Sequence, residues 1–519
     1  MLSICKKITN IFFLIIMAAL FLMSLCVHCE VDIYSYNQVR MIDNHRIFLY
    51  IILVLISGIM VLFFYGLTDR IMLKVKNPDK TEKAIVVVCA LMVFAAGIFW
   101  INFNNSGPKY DQKIIYAEAR RLAGYLREPF NITYMTFYKR QRGFVLCMAA
   151  TLKIFGDAQT SVGILNVIGC VAAYAGICKT VHKTVKDKRY FVFTSIVLTL
   201  FYPLVIYTTF MYGTLLSLTF SVWGVYAVIA YCDTLKNRYA VLAAIGFSIG
   251  ILMHQSAAVA AVAGIIYFLL HINRTNAVKN CITVAFIIFF IFMSLHLTNI
   301  IYEKLTGAAG GDSVPVTTTI YMGLNSETQD GGPGSQDGSF TNLFYENGND
   351  GDKTNKDAVE RIKLVILDYI TGKRSLSFFI RKTEYQWMDP TMGARKTIIP
   401  NDVNLGEPPN SEAFIRFYNS GFRTIIFKVS DIFMILVYGF ALISGVFTLI
   451  YKNEMTEDRS IHFLIQLFFI GGFTFQLMWE SLARYCFPYF VWLIPEAIYG
   501  IHQLYQLIPK VRKTAKAEN

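Results

Sequence analysis

The chain has 519 residues, of which 55% are hydrophobic and 16% charged, with a mean hydropathy of +0.47. That charged fraction is well below the roughly 25% of soluble domains, and apolar runs of about 20 residues, enough to cross a bilayer, recur throughout, which excludes a soluble globular protein. The net charge of +13 would suit a polyanion, but the basic residues gather in short loops between apolar runs; this is the positive-inside pattern of membrane orientation, and nucleic acid is not read as a partner.

In chain order, apolar runs at 8–27, 47–66, 84–102, 161–181, 190–210, 212–232, 239–254, 256–272 and 279–302 are followed by a long polar region and then by runs at 423–451, 459–479 and 485–506. The expectation is an all-α polytopic membrane protein with about twelve transmembrane helices. The first two runs form an N-terminal extension, residues 1–83. Lys6 and Lys7 precede the first run as in a signal peptide, but no small-x-small cleavage site follows, so it reads as a retained anchor. Cys26 and Cys29 make a lone C-x-x-C, a weak metal or redox signal without a second pair.

Arg70, Lys74, Lys76, Lys80 and Lys83 assign the 67–83 loop to the cytoplasm, and Lys179, Lys183, Lys186, Lys188 and Arg189 do the same for 179–189. Lys236, Arg238, Arg274, Lys279 and the tail (507–519) residues Lys510, Arg512 and Lys513 agree. Residues 143–156 are apolar but too short to cross; if they crossed, the 179–189 loop would lie outside. They read as an interfacial or re-entrant helix. A transmembrane core, 84–302, then presents an outward loop, 103–160, on the same side as an extracytoplasmic domain, 303–422, and three spans close the chain at 423–506.

The outward loop opens with a helix predicted over 109–126. At 3.6 residues per turn Asp111, Ile115, Glu118 and Leu122 share one face, and Lys113, Arg120 and Arg127 recur on the other. This reads as a helix lying on the membrane with a carboxylate free for chemistry and a basic face toward headgroups. In the outward domain, 325–357 is rich in Gly, Asp and Asn without EF-hand spacing and reads as a mobile loop. A helix is predicted over 355–372, and 378–392 reads as a loop above the membrane. The domain has no cysteine, so it holds no disulfide framework.

Four polar clusters fall on the outer side: the Asp111 helix, Tyr138-Lys139-Arg140-Gln141-Arg142-Gly143, Met253-His254-Gln255, and Trp479-Glu480-Ser481-Leu482-Ala483-Arg484-Tyr485. Charged residues gathered at one aqueous end of a membrane protein are functional candidates. Each also has a structural reading: a first-turn carboxylate for Asp111, interfacial anchors for Tyr138, Arg140, Trp479 and Arg484, and a hydrogen-bonded turn for His254.

Tyr110-Asp111-Gln112 with Ala117-Glu118-Ala119, followed by Tyr138-Lys139-Arg140-Gln141-Arg142-Gly143 and a helix ending in Phe155-Gly156, resembles the GT-C superfamily of membrane glycosyltransferases. The resemblance is to bacterial relatives of protein O-mannosyltransferases and of the aminoarabinose transferase acting on lipid A. Lys139 stands where many members have proline. Tyr321-Met322-Gly323, Lys382 with Trp387-Met388-Asp389-Pro390, and Ala483-Arg484-Tyr485 also resemble stretches of such proteins. The likeness spans residues 84–506 and leaves the first two spans outside.

The resemblance implies a sugar donor on polyprenyl phosphate, with an acceptor glycan, lipid or protein. Asp111 would be the general base and Arg484 would bind the leaving phosphate. Glu118, Tyr138, Arg140, Gln141, His254, Lys382, Trp387 and Glu480 would contact substrate. Some members use a divalent metal; Asp111 with Glu118 is too thin a ligand set to assign one. Two other classes fit a polytopic chain. A polysaccharide polymerase or ligase of the O-antigen type would carry its key residues late in the sequence. A transporter or flippase would show internal symmetry and broken helices near the midplane.

Overall fold

The computed structural model describes residues 2–31, 39–43, 47–271, 276–308, 311–328, 332–401, 409–450 and 459–508. Arg274, Lys510, Arg512, Lys513 and the 329–331 part of the expected mobile loop lie outside them, as does the side chain of Cys29.

Helix α1 (Leu2–Cys26) leads through a two-stranded antiparallel ribbon, β1 (Val27–Val31) and β2 (Val39–Asp43), into α2 (Ile47–Lys74) and α3 (Pro78–Asn104). α3 begins where the sequence satisfies its N-terminus. Pro78 occupies the first turn, where its missing N–H costs nothing, and the Asn77 side chain accepts from the Lys80 amide. Three shorter helices follow: α4 (Asp111–Ala123), α5 (Ile132–Phe137) and α6 (Arg142–Phe155). The bundle continues with α7 (Gln159–Thr184), α8 (Lys188–Leu200), α9 (Pro203–Ile206), α10 (Thr214–Thr234), α11 (Asn237–Met253), α12 (Ala257–Leu270) and α13 (Ala277–Thr306).

A cap follows, made of α14 (Val316–Asn325), the paired β3 (Glu327–Thr328) and β4 (Gly332–Pro333), α15 (Ser339–Glu346), α16 (Gly351–Ile370), α17 (Ser377–Trp387) and α18 (Glu412–Tyr418). The chain closes with α19 (Gly421–Ile450), α20 (Arg459–Met478) and α21 (Phe487–Gln506).

The protein is thus an all-α polytopic membrane protein. Among the described residues eight helices are long and apolar enough to cross a bilayer, or nine if α8 and the segment Pro203–Thr209 form one span bent by 51°. The bend has a cause: Pro203 lacks the amide that would continue the ladder. The runs at 239–254 and 256–272 are realised as the shorter α11 and α12. α21 falls outside that set, its apolar face interrupted by Pro495, Glu496 and His502. Helices α7, α10, α11 and α12 approach closely through small residues. Gly224 lies against the Phe247 ring, and a side chain on Gly246 would meet the backbone of Gly224 at 2.8 Å.

The basic turns meet at one end of the bundle: Lys188 pairs with Asp79 (2.5 Å), Lys183 with Asp233 (2.7 Å) and Arg189 with Asp69 (2.9 Å). α6 starts and finishes at the opposite end. Arg142 at its start pairs with Glu303 (2.8 Å), and Asp157 just beyond its end pairs with Arg120 of α4 (2.6 Å). The N-terminal helices pack against the bundle along one side, α2 leaving most of its apolar surface exposed. α1 lies on α19 and α20 with Asn10 donating to the Gly445 carbonyl (2.9 Å), His28 pairs with Asp431, and Tyr65 of α2 bonds His502 (2.6 Å).

Several elements depart from the pattern read in the sequence. The helix expected over 109–126 stops at Ala123, because Gly124 takes φ +87° and turns its amide back to Arg120 and Arg121. Arg127 therefore leaves the basic face, and Arg120 is held by Asp157. α16 begins at Gly351, where Asp350 caps the Lys353 amide (2.9 Å), and α15 also falls inside the 325–357 stretch. The 378–392 stretch is helical up to Trp387, whose ring is buried against Phe469, Phe473 and Tyr489; apolar partners in the bundle outweigh a surface position.

Candidate active site at one end of the bundle

Asp111 opens α4 immediately after Tyr110, which has φ +50°. A bulky residue in that region is strained, and such strain persists only where surrounding contacts over-determine the backbone. One contact is visible next door: the buried Gln112 accepts the Met211 amide through Oε1 (2.9 Å). This joins the start of α4 to the 210–213 turn, where Gly213 at φ +76° lets α10 begin. The turn brings Tyr212 to Asp111, its hydroxyl donating to Oδ2 at 3.4 Å.

Tyr212 also meets Arg484. The guanidinium lies 4.9 Å from the Tyr212 ring and 5.2 Å from the Tyr485 ring, held between two aromatic faces. Its Nη2 donates to the Tyr485 hydroxyl (3.4 Å), that hydroxyl donates to Glu480 Oε2 (2.9 Å), and its Nε is buried without a partner. Arg484 sits in a 3-10 turn, Ala483–Tyr485, against Gly393. At φ +78°, with the Arg484 amide 2.6 Å from where a Cβ would stand, position 393 has room only for glycine.

Two adjoining cavities result. One, of about 440 Å³ with its open mouth, is lined by Asp111, Tyr138, Arg140, Tyr212, Glu480, Arg484 and Tyr485 and roofed from the cap by Thr319, Met322, Gln336 and Phe340. The other, of about 510 Å³, is lined by Arg140, Gln141, Tyr212, His254, Gln255, Ser256, Tyr485 and, on α20, Phe475, Gln476 and Trp479. Arg140, Tyr212 and Tyr485 face both and form the partition.

In the second cavity the Ser256 amide donates to His254 Nδ1 (3.3 Å), so the neutral ring keeps its proton on Nε2. Burial, with Arg484 and Arg140 nearby, pushes this imidazole down from 6.5 to about 3. The unfolded chain then binds more protons than the folded one between those values, so stability falls as pH drops from 6.5 toward 3. The His254→Gln protein should lose thermal stability less steeply than wild type across that window, measured as unfolding midpoint against pH; parallel curves would contradict a buried neutral histidine.

The structure brings Asp111, Tyr138, Arg140, Gln141, His254, Glu480 and Arg484 around the two cavities. It places Glu118, Lys382 and Trp387 elsewhere. Glu118 is fully buried, paired with Arg121 (2.5 Å) and accepting the Asn131 amide (2.7 Å), so it closes the turn after α4. Lys382 is buried and donates to the carbonyls of Gly323 and Trp479 (the latter 2.5 Å), fastening the cap to the segment that carries Glu480. Burial pulls this ammonium down to about 7, with Glu480 opposing the shift. Trp387 is in the core.

Asp111 and Glu480 share their cavity with two guanidinium groups, a donor set that suits a phosphate better than a cation. Among the described residues no three His, Cys, Asp or Glu side chains converge as metal ligands. Sequence reasoning missed Tyr212, and it named Gln112 within its leading motif without giving the side chain a role. The signal available for Tyr212 was its place beside a glycine at the junction of two apolar runs, at the end of the bundle that carries Asp111.

Compared with known families, residues 143–298 match the model of the dolichyl-phosphate-mannose-protein mannosyltransferases. The match begins at Gly143 and covers α6 to α12 and most of α13. It includes Tyr212 and His254, while Asp111, Tyr138, Arg140, Gln141, Glu480 and Arg484 lie outside it. No curated protein matches the chain. The matched segment supports a membrane glycosyltransferase of the GT-C type.

Proposed function

We propose that the protein transfers a sugar from a polyprenyl-phosphate carrier to an acceptor hydroxyl on the outer face of the membrane, with Asp111 as general base. The observation carrying this reading is that Asp111 and Arg484, far apart in the sequence, line one cavity with Tyr212 between them.

In the proposed reaction the acceptor hydroxyl gives its proton to Asp111 as its oxygen bonds the anomeric carbon. The bond from that carbon to the phosphate oxygen breaks, and its electron pair stays on the leaving phosphate. The charge developing there is met by the preorganised guanidinium of Arg484, with Arg140 on the partition as a second donor. Tyr212 holds the base and the phosphate site in register. A single displacement of this kind inverts the anomeric centre.

Full-length protein in liposomes, given a polyprenyl-phosphate-linked hexose, should release free polyprenyl phosphate in step with glycoside formation, whereas a nucleotide sugar should give none. Mannose is the first sugar to test, since it is the one named for the matched family. Transfer from the nucleotide sugar alone would overturn the carrier assignment.

A further inference from the structure

At the end of the bundle where the basic turns meet, away from the Asp111 cavity, cations and aromatic rings interleave on one face. Helix α10 packs there on both α7 and α11. Its Trp223 is half-buried, the indole N–H donating to the Ala172 carbonyl of α7 (3.1 Å). The Lys179 ammonium of α7 lies over this ring, 5.2 Å from its centre, and 5.0 Å from the centre of the Tyr226 ring. On the other flank Arg238 of α11 lies over the Tyr239 ring (4.8 Å) and donates to its hydroxyl (3.2 Å). The Tyr226 and Tyr239 rings meet at 6.4 Å, which joins the two flanks.

Lys179 and Arg238 are exposed and form no ion pair with a described residue. Lys236 adds an exposed cation in the turn before α11, and Lys183 is matched by Asp233 (2.7 Å). The face is left strongly positive. Attraction to the ring faces holds the two long side chains in place without neutralising them, so an anion arriving there meets donors that are already ordered.

The surface running into the bundle from these cations is apolar. Val241 and Ile245 follow Arg238 by three and seven residues, which puts them on its side of α11, and both are exposed. On α7 the exposed Ile168 precedes Lys179 by eleven residues, about three turns, and shares its face. A basic, aromatic rim continuous with exposed apolar helix faces fits an amphiphile with an anionic head. A soluble polyanion would leave the apolar part unused.

We propose that Lys179 and Arg238, with the rings of Trp223, Tyr226 and Tyr239, form a binding site for an anionic phospholipid. The cations meet its phosphate headgroup, and its acyl chains lie along Val241 and Ile245. The site stands independently of the glycosyltransferase reading.

The test is the unfolding midpoint of the full-length protein in a neutral detergent, followed against added phosphatidylglycerol, phosphatidylcholine or inorganic phosphate. Phosphatidylglycerol should raise the midpoint saturably, and the other two should not. In the double variant Lys179→Gln/Arg238→Gln the half-saturating concentration should rise about 30-fold, each lost charge contributing about fivefold. Lys76→Gln/Lys80→Gln removes two exposed cations from the same end of the bundle but away from this face, and should leave it nearly unchanged. Both substituted pairs are exposed, so the fold has the means to survive; should the first double variant fail to fold, Arg238→Gln alone should show the fivefold step. Equal weakening by the two double variants would reduce the effect to the general positive charge of that end and overturn the site. Stabilisation by phosphatidylcholine or by phosphate matching that by phosphatidylglycerol would overturn the anionic lipid as its occupant.

Discussion

Replacing Asp111 with asparagine should leave the protein folded and lower kcat by about 10²–10⁴-fold, the usual contribution of a positioned general base. The substitution is nearly isosteric, and the amide oxygen still accepts the Tyr212 hydroxyl that now reaches Oδ2 at 3.4 Å. What it removes is the ability to take a proton. Because Asp111 is exposed at the cavity mouth and not part of a buried pair, no desolvated charge is left behind and stability should barely move. KM for donor should be little changed, since the donor phosphate is met by guanidinium groups. Single-turnover transfer at saturating donor and acceptor is the measurement. A wild-type rate would remove Asp111 from the chemistry and return it to the role of a first-turn carboxylate.

The second large effect is expected at Arg484. Arg484→Ala should lower kcat/KM for donor by about 10²–10³-fold, the range seen when a preorganised donor to a developing oxyanion is removed. The arginine is positioned in advance: its guanidinium lies between Tyr212 and Tyr485, and Gly393 leaves room for its backbone. Arg484→Lys should recover only part of the loss, because an ammonium offers neither the planar fork nor the stacking. An unchanged dependence on donor concentration in Arg484→Ala would make the residue an interfacial anchor.

The convergence of the Asp111 helix, the His254 turn and the Arg484 segment was legible in the sequence because it follows from counting apolar runs and basic loops, which set the end of the bundle each turn occupies. What a given side chain touches at that end was not legible. Glu118 shares a helical face with Asp111, as the spacing requires, yet seven residues of helix is about 10 Å of rise. At that distance it meets Arg121 and Asn131 and no longer the cavity. Lys382 and Trp387 were assigned to substrate from a resemblance in short motifs, and such motifs do not show whether a side chain turns toward a cavity or toward the bundle. Tyr212 escaped notice for the converse reason: a lone tyrosine between two apolar runs looks like an interfacial anchor until the Gln112–Met211 bond aims its turn at Asp111.

The docking of α1 on the last helices bears on the order in which the protein can be assembled. Asn10 finds its backbone partner at Gly445, 435 residues later, so during synthesis at 5–20 residues per second it waits roughly 20–90 s before that partner exists. Through that interval the first helix must remain in the bilayer with a polar amide uncompensated, held by lipid or by the insertion machinery. The contact between α1 and α19 can therefore form only after the long stretch between them has been made, and closing this side of the bundle depends on keeping α1 available until then.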